Sequence, residues 1–295
     1  MIVPAYTAAA TWTAVASTGA VPVGADVDAG TGLIDPAAVR AALGPRTAGV
    51  IAVHLFGRLA PMRELRELAD RASAQLIEDA AHAHGAREGA LRVGELADAA
   101  AFSFYPTKLL GALGDAGAIT TADPQLAARA RLLRSYGQGW PPGDAETAGL
   151  SSRLDEIQAA VLRVRLRGLD AALARLRALA GRYRELLAGA PELALPPRPA
   201  GGEEPAWHQF TVTHGRREEL RAELASQGVG SAVHYATLPP QLSAFGAGGG
   251  FPRAEALSRS IVSLPFDPWL SDEQAYEVCS ALLTSASGIA ERSRT

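Results

Sequence analysis

The chain holds 28 Lys and Arg residues, and only one of them is a lysine, Lys108. Where charge alone is required, arginine serves, and here it has been used everywhere else. A lysine amine does what a guanidinium cannot: desolvated, it loses its proton and attacks a carbonyl. Lys108 lies in Ala-Phe-Ser-Phe-Tyr-Pro-Thr-Lys, ahead of the run Gly111-Ala-Leu-Gly114-Asp-Ala-Gly117. A second segment, Leu76-Ile77-Glu78-Asp79-Ala80-Ala81-His82-Ala83-His84-Gly85, takes an apolar strand straight into an acid and small residues. In the strand before Lys108, alternation sends Phe102 and Phe104 to one face and Ser103 to the other. An acid, a hydroxyl and the lone lysine therefore converge on one sheet edge. Singly, each has a plainer explanation: a stray surface lysine, a capping acid, two turn histidines. Together they are the groups that an aldehyde cofactor of the pyridoxal phosphate kind requires. A lysine forms the imine and moves the proton, an acid keeps the pyridine nitrogen protonated, and hydroxyl and backbone donors hold the phosphate.

The elements that must position these groups follow an α/β pattern, in which short apolar runs alternate with helical periodicity. Strands are predicted at 21–27, 50–55, 75–79, 99–104 and 116–120, and helices at 11–17, 36–43, 62–73 and from Pro124 through Leu133. Open α/β sheets bind ligands beyond the carboxyl ends of their strands, which is where Asp79 falls. Residues 137–149 read as a Gly- and Pro-rich loop. From Ser152 a long helical segment sets Leu154, Ile157, Val161 and Val164 on one face, then Leu169, Leu173 and Leu176, with a break at Gly168. Past Pro196-Pro197 the pattern predicts strands at 207–213 and 228–235 and helices at 217–227, 252–264 and 272–284. The expected organisation is a large domain over 1–150, a connecting helical segment over 151–189 and a small α+β domain over 190–295.

Bulk properties narrow the function. At 295 residues the chain buries a full core. A formal net charge of −3 argues against a nucleic-acid footprint and against a polybasic membrane surface. The single Cys279 excludes an intrachain disulfide and fits a reducing compartment. No apolar run reaches membrane-spanning length, so the expectation is a cytoplasmic protein.

The same residues carry a resemblance. Val3-Pro4-Ala5-Tyr6-Thr7, Val53-His54-Leu55-Phe56-Gly57, Glu78 to Ala86, Phe102 to Gly117 and Arg153-Leu154-Asp155-Glu156-Ile157-Gln158-Ala159-Ala160 are similar, in that order, to the DegT/StrS family of sugar aminotransferases. The resemblance implies the fold type I aminotransferase architecture: a mainly parallel sheet sandwiched by helices, plus a small α+β C-terminal domain. It implies pyridoxal 5'-phosphate (PLP) as cofactor, a nucleotide-linked keto-sugar and glutamate or glutamine as substrates, and a homodimer that shares residues across its two-fold axis. By position, Lys108 resembles the Schiff-base lysine and Asp79 the partner of the pyridine nitrogen. Ala81 resembles the small residue packed on the ring, His82 the Gln or His beside the phenolic oxygen, and Ser103 a phosphate ligand. Ser151 falls where an Asn reaches the neighbouring subunit's phosphate. His208, His234 and Tyr235 fall on the sugar-nucleotide side. A dehydratase branch of the family has His in place of the lysine, so Lys108 points to amino transfer.

Three positions depart from the family pattern: Ala8 in place of an aromatic, Leu109 in place of Asn, and Ser151 itself. Family members also begin several dozen residues earlier, with a helix, a strand and a Gly-Thr turn that binds phosphate at a helix N-terminus. The chain is therefore expected to be N-terminally truncated, with part of its sheet surface uncovered. That expectation leaves an alternative to the active enzyme: a catalytically impaired homologue serving as a non-catalytic subunit or persisting as a gene remnant.

Overall fold

The computed structural model describes residues 1–139, 141, 143–246 and 248–292. Its N-terminal half runs β1 (Ile2–Pro4), α1 (Ala9–Ser17), β2 (Val23–Ala25), α2 (Pro36–Ala42), β3 (Gly49–Val53), α3 (Met62–Arg71), β4 (Gln75–Asp79), β5 (Arg87–Glu88), β6 (Leu91–Arg92), β7 (Ala99–Ser103), β8 (Gly117–Thr120) and α4 (Pro124–Leu133). Two helices follow, α5 (Glu156–Leu166) and α6 (Leu169–Leu186). The remainder is β9 (Glu203–Glu204), β10 (Thr211–Thr213), α7 (Arg217–Ser226), α8 (Pro252–Ser260), β11 (Ile261–Ser263) and α9 (Asp272–Arg292).

The central sheet has the order β2-β1-β3-β4-β7-β8, parallel throughout except for the antiparallel β7–β8 pair. Parallel strands covered on both faces are continuous apolar runs, and β3 is buried at all five of its residues. Helix α3 sets Met62, Leu65, Leu68 and Ala69 into the core on one face of the sheet, at helical spacing. Both α2 and α4 start with an Asp-Pro pair. The Asp35 carboxylate accepts from the Ala37 N–H at 2.8 Å, and Asp123 from Gln125 at 2.8 Å, which satisfies one free amide at each helix start. On the other face, Val3, Tyr6 and Trp12 pack with Leu238, Leu257 and Ile261 from the C-terminal third. A second core joins α6, α7 and α9 to the β10–β11 pair, around Leu179, Tyr183, Phe210 and Leu282.

The sequence reading and the structure part in several places, among them α9, foreseen to end at residue 284 and running on to Arg292. The run 228–235 forms no strand; only Ala232 bridges Ser263. Residues 207–210 stay outside β10, because Trp207 takes a left-handed backbone (φ +49°) that no strand continues through. The helix foreseen over 252–264 ends at Ser260, and the β-branched Ile261-Val262 pair opens β11 instead. In α5 the anticipated apolar face is turned outward: Ile157 is 74 % and Val164 65 % exposed, and Leu162 alone in that helix is buried. In α6, Leu173 and Leu176 are buried as expected. Within the foreseen 137–149 loop, residues 140 and 142 lie outside the described ones.

Candidate active site

Strand β4 delivers Asp79 to the carboxyl edge of the sheet and grips it from several directions. Its Oδ2 accepts from the Thr11 hydroxyl at 2.8 Å and its Oδ1 from the Ala81 N–H at 3.1 Å. Thr11 is backed in turn by the Thr7 hydroxyl at 3.1 Å. The Asp79 carbonyl accepts from the His54 N–H at 3.1 Å. On the opposite sheet face Glu78, fully buried, lies 3.1 Å from His54 Nε2 and accepts from the Gly94 N–H at 2.7 Å. The Ala60 N–H donates to His54 Nδ1 at 3.0 Å, which puts the His54 proton on Nε2, toward Glu78. The strand end is thus fixed by bonds on both faces, and the Asp79 carboxylate keeps its direction.

Lys108 follows β7 in a tight turn, its N–H donating to the Tyr105 carbonyl at 2.8 Å. Three cavities meet at this side chain. One, of about 870 Å³, is lined also by Asp79, Ala81, His82, Ser103 and Tyr235. The second, about 540 Å³, adds His208, Gln209, His234 and Ser263. The third, about 650 Å³, opens between α6 and residues 266–269 and again includes His208. Burial lowers the Lys108 amine below its ordinary value, and the Asp79 carboxylate partly opposes that shift. Burial thus brings the neutral, nucleophilic form of the amine within easier reach than in a free lysine. Ser103 lies on the cavity wall with its Oγ accepting from the Tyr105 N–H at 3.3 Å, which leaves the hydroxyl hydrogen free to donate.

Four of the six histidines gather here. His82 is held well below the usual imidazole range, first by burial and then by repulsion from His208, Lys108, His234 and His84. Burial brings His208 down to about 3, with Lys108 next in effect. His234 is lowered for the same two reasons, and its Nδ1 lies 2.9 Å from both Gln209 Nε2 and Ser263 Oγ. The Tyr235 N–H donates to the Tyr6 hydroxyl at 2.8 Å, and that hydroxyl donates to the His234 carbonyl at 2.6 Å. His84 is different. It lies behind the cavity between Phe102 and Phe104, ring centroids 5.8 Å from each, and burial brings it down to about 4.

The structure thus brings Asp79, Ala81, His82, Ser103, Lys108, His208, His234 and Tyr235 together around one side chain. Ser151 lies apart, exposed, in a bridge with Ser135. Ala8 stands on the wall of the largest cavity, where its methyl offers no ring to stack on. Sequence reasoning missed Thr11, 68 positions from the acid it supports, as well as Tyr6 and the His54–Glu78 pair. The one available signal was that His54 and Glu78 stand in strand-end segments beside the residues that were singled out. Among the described residues no group of three His, Cys, Asp or Glu side chains could hold a metal ion.

The profile of the DegT/DnrJ/EryC1/StrS aminotransferase family matches residues 1–283. The chain belongs to this family. It is 47 % identical over 287 residues to a dTDP-3-amino-3,4,6-trideoxy-alpha-D-glucose transaminase of Streptomyces venezuelae, covering 96 % of this chain and 75 % of that protein. It is 45 % identical over 290 residues to the erythromycin biosynthesis sensory transduction protein EryC1 of Saccharopolyspora erythraea, covering 97 % and 79 %. The crystal structure of DesV from S. venezuelae in complex with a ketimine intermediate superposes with a TM-score of 0.93 at 44 % identity, over 97 % of this chain and 78 % of that one. The chain is an enzyme of the sugar aminotransferase family with the fold type I architecture, and it spans about three quarters of the length of these relatives.

Proposed function

We propose that this chain binds PLP in the cavity shared by Asp79 and Lys108 and transfers an amino group from glutamate or glutamine to a nucleotide-linked keto-deoxysugar. The observation that carries the reading is the meeting of a desolvated amine, a doubly held carboxylate and a free hydroxyl on one wall. The donor set fits the group. Asp79 would hold the ring nitrogen, Ser103 the phosphate, and Ala81 leaves room for a flat ring. When bound, PLP supplies a carbonyl that takes up the donor's amine and a ring that accepts electrons.

The protein's own part is binding, orientation and proton movement. Lys108 would hold the cofactor through its amine, and its Nζ is the group placed to take up and return a proton. Asp79, kept in direction by Thr11 and the Ala81 N–H, would face the ring nitrogen and favour its protonated form. The histidines around Lys108 are neutral near pH 7 and act as hydrogen-bond partners without adding charge beside the amine. His234 and Tyr235, on the cavity of about 540 Å³, are assigned to the sugar. Several relatives are named as transaminases of dTDP- or UDP-linked sugars, which supports this substrate class and a role in deoxysugar, antibiotic or glycan biosynthesis.

A homodimer belongs to the same reading. Leu150, Ile157 and Val164 are exposed on and beside α5, apolar surface of the kind that partners cover, and Ser151, next to Leu150, is exposed as well. The division into 1–150, 151–189 and 190–295 follows the change from the large sheet to α6 and the C-terminal core, although α6 packs with that core and one cluster joins Val3, Tyr6 and Trp12 to Leu238, Leu257 and Ile261. No described helix is long and apolar enough to cross a membrane. The lone Cys279, buried and pushed up to about 12, fits the cytoplasm.

The test is spectroscopic. Purified protein mixed with PLP should develop a visible absorbance band that fades when glutamate is added. In Lys108→Ala the band should be absent and turnover should fall by at least about a thousandfold. A variant with an unchanged band would overturn the assignment of Lys108.

A further inference from the structure

Three residues with left-handed backbones meet at one junction: Phe56 (φ +56°), Gly57 (φ +91°) and Trp207 (φ +49°). For Phe and Trp this conformation is unfavourable, so surrounding contacts must enforce it. The backbone of Phe56 is held by two histidines and that of Gly57 by His54 and Ala206. The Phe56 N–H donates to His82 Nδ1 at 3.3 Å, and the Phe56 carbonyl accepts from the His208 N–H at 3.0 Å. The Gly57 carbonyl accepts from the Ala206 N–H at 2.8 Å. A Cβ on Gly57 would lie 2.7 Å from the Trp207 nitrogen and 2.9 Å from that of His208, so no side chain is admissible there. One residue thus keys the ring of His82 and the backbone of His208 together, and their rings face each other with centroids 4.1 Å apart.

This fixes more than position. A backbone amide can only donate, so the Nδ1 that faces it must carry the lone pair, and the imidazole proton must sit on Nε2. We propose that His208 is a positioning residue: with Phe56 it holds His82 as the neutral tautomer protonated at Nε2, which presents an N–H donor to the molecule bound between Asp79 and Lys108. His208 then works through His82 and does not itself need to touch the sugar. The proposal rests on reading that cavity as the cofactor site, since an oxygen there is what the donor would meet. The titratable groups facing His82 are Lys108, His208, His234 and His84, all of them cationic when charged, and Asp79 shares the cavity. A proton added at Nδ1 would point at the Phe56 N–H, so charging His82 requires the junction to open.

Long-range 1H–15N NMR of the histidine-labelled protein, with His82 assigned through His82→Gln, tests this without added cofactor. His82 should show a lone-pair Nδ1 and a protonated Nε2, with no titration down to pH 5. In His208→Ala it should become a tautomer mixture whose titration midpoint rises by one pH unit or more. In His208→Phe, which keeps a flat ring against His82, the wild-type pattern should persist. With PLP bound, the pH midpoint of the visible band should move in the Ala variant and not in the Phe variant. A wild-type His82 protonated at Nδ1, or an Ala variant with wild-type tautomer and titration, would overturn the proposal, and the first of these requires no variant to fold. If the NMR result is as expected and PLP gives no band, the positioning stands and the cofactor reading fails.

Discussion

The middle of the central sheet and its β8 edge are built to different standards. At β3 and β4, in the middle, the strands are roofed on both faces: β3 is buried throughout, Leu76 and Glu78 are sealed within β4, and the strand end carrying Asp79 is bonded on both faces. At β8 every residue is exposed, with Ile119 at 61 %, and Leu113, Leu150, Ile157 and Val164 are exposed as well. The same chemistry of Ala, Ile, Val and Leu is used in both regions. What differs is whether anything covers it, so an apolar residue type announces a burial requirement and not the partner that meets it. The reacting groups span the two, with Asp79 at the end of β4 and Ser103 on the strand that pairs with β8.

Substitutions sharpen the contrast. Leu76→Ala, in the closed middle, should cost about 2–5 kcal/mol in a urea titration, because the space left behind β4 cannot collapse. A cost near that of a surface change would mean that the middle is looser than its burial indicates. Acid should also act through the closed region. His84 is 4 % exposed and brought down to about 4 by burial, against an unfolded value of about 6.5. Because the unfolded chain binds that proton first, stability is intact above pH 6.5 and is lost as the pH falls toward 4, by about 3 kcal/mol for this residue alone. In His84→Phe the urea midpoints measured between pH 7 and 4.5 should fall less steeply than in the parent. The smallest effect belongs to the open surface: Ile157→Ser should change unfolding stability by no more than about 0.5 kcal/mol. It should nevertheless shift sedimentation toward the monomer; a dimer of undiminished strength would place the interface elsewhere.

The sequence was most readable where local signals and sheet position agree. Strand β4 has the predicted bounds: the apolar Leu76-Ile77 pair runs into Glu78, and the strand ends at Asp79, ahead of the small residues Ala80 and Ala81. Phe102 and Phe104 both reach His84, as alternation required, and Ser103 lines the lysine cavity, whose wall Phe102 also touches. What stayed hidden was set by contacts distant in sequence. Nothing around Thr11 shows that it will bind Asp79, and nothing around Phe56 foretells a left-handed residue keyed to His82 and His208. The run 228–235 had the composition of a strand but makes a single bridge, from Ala232 to Ser263 on the edge of β11 that β10 leaves open. The outward face of α5 had the right period, and periodicity is silent on which surface will come to meet it.

Lys108 is the single lysine among 28 basic residues, so its Nζ is the one side-chain amine in this sequence. A carbonyl compound captured on that nitrogen by borohydride must therefore leave its mass on one known tryptic peptide. Capture at Lys108 erases a single cleavage site among many arginines, so the occupied fraction of the reacting nitrogen can be weighed directly, peptide against peptide, with no need to follow catalysis.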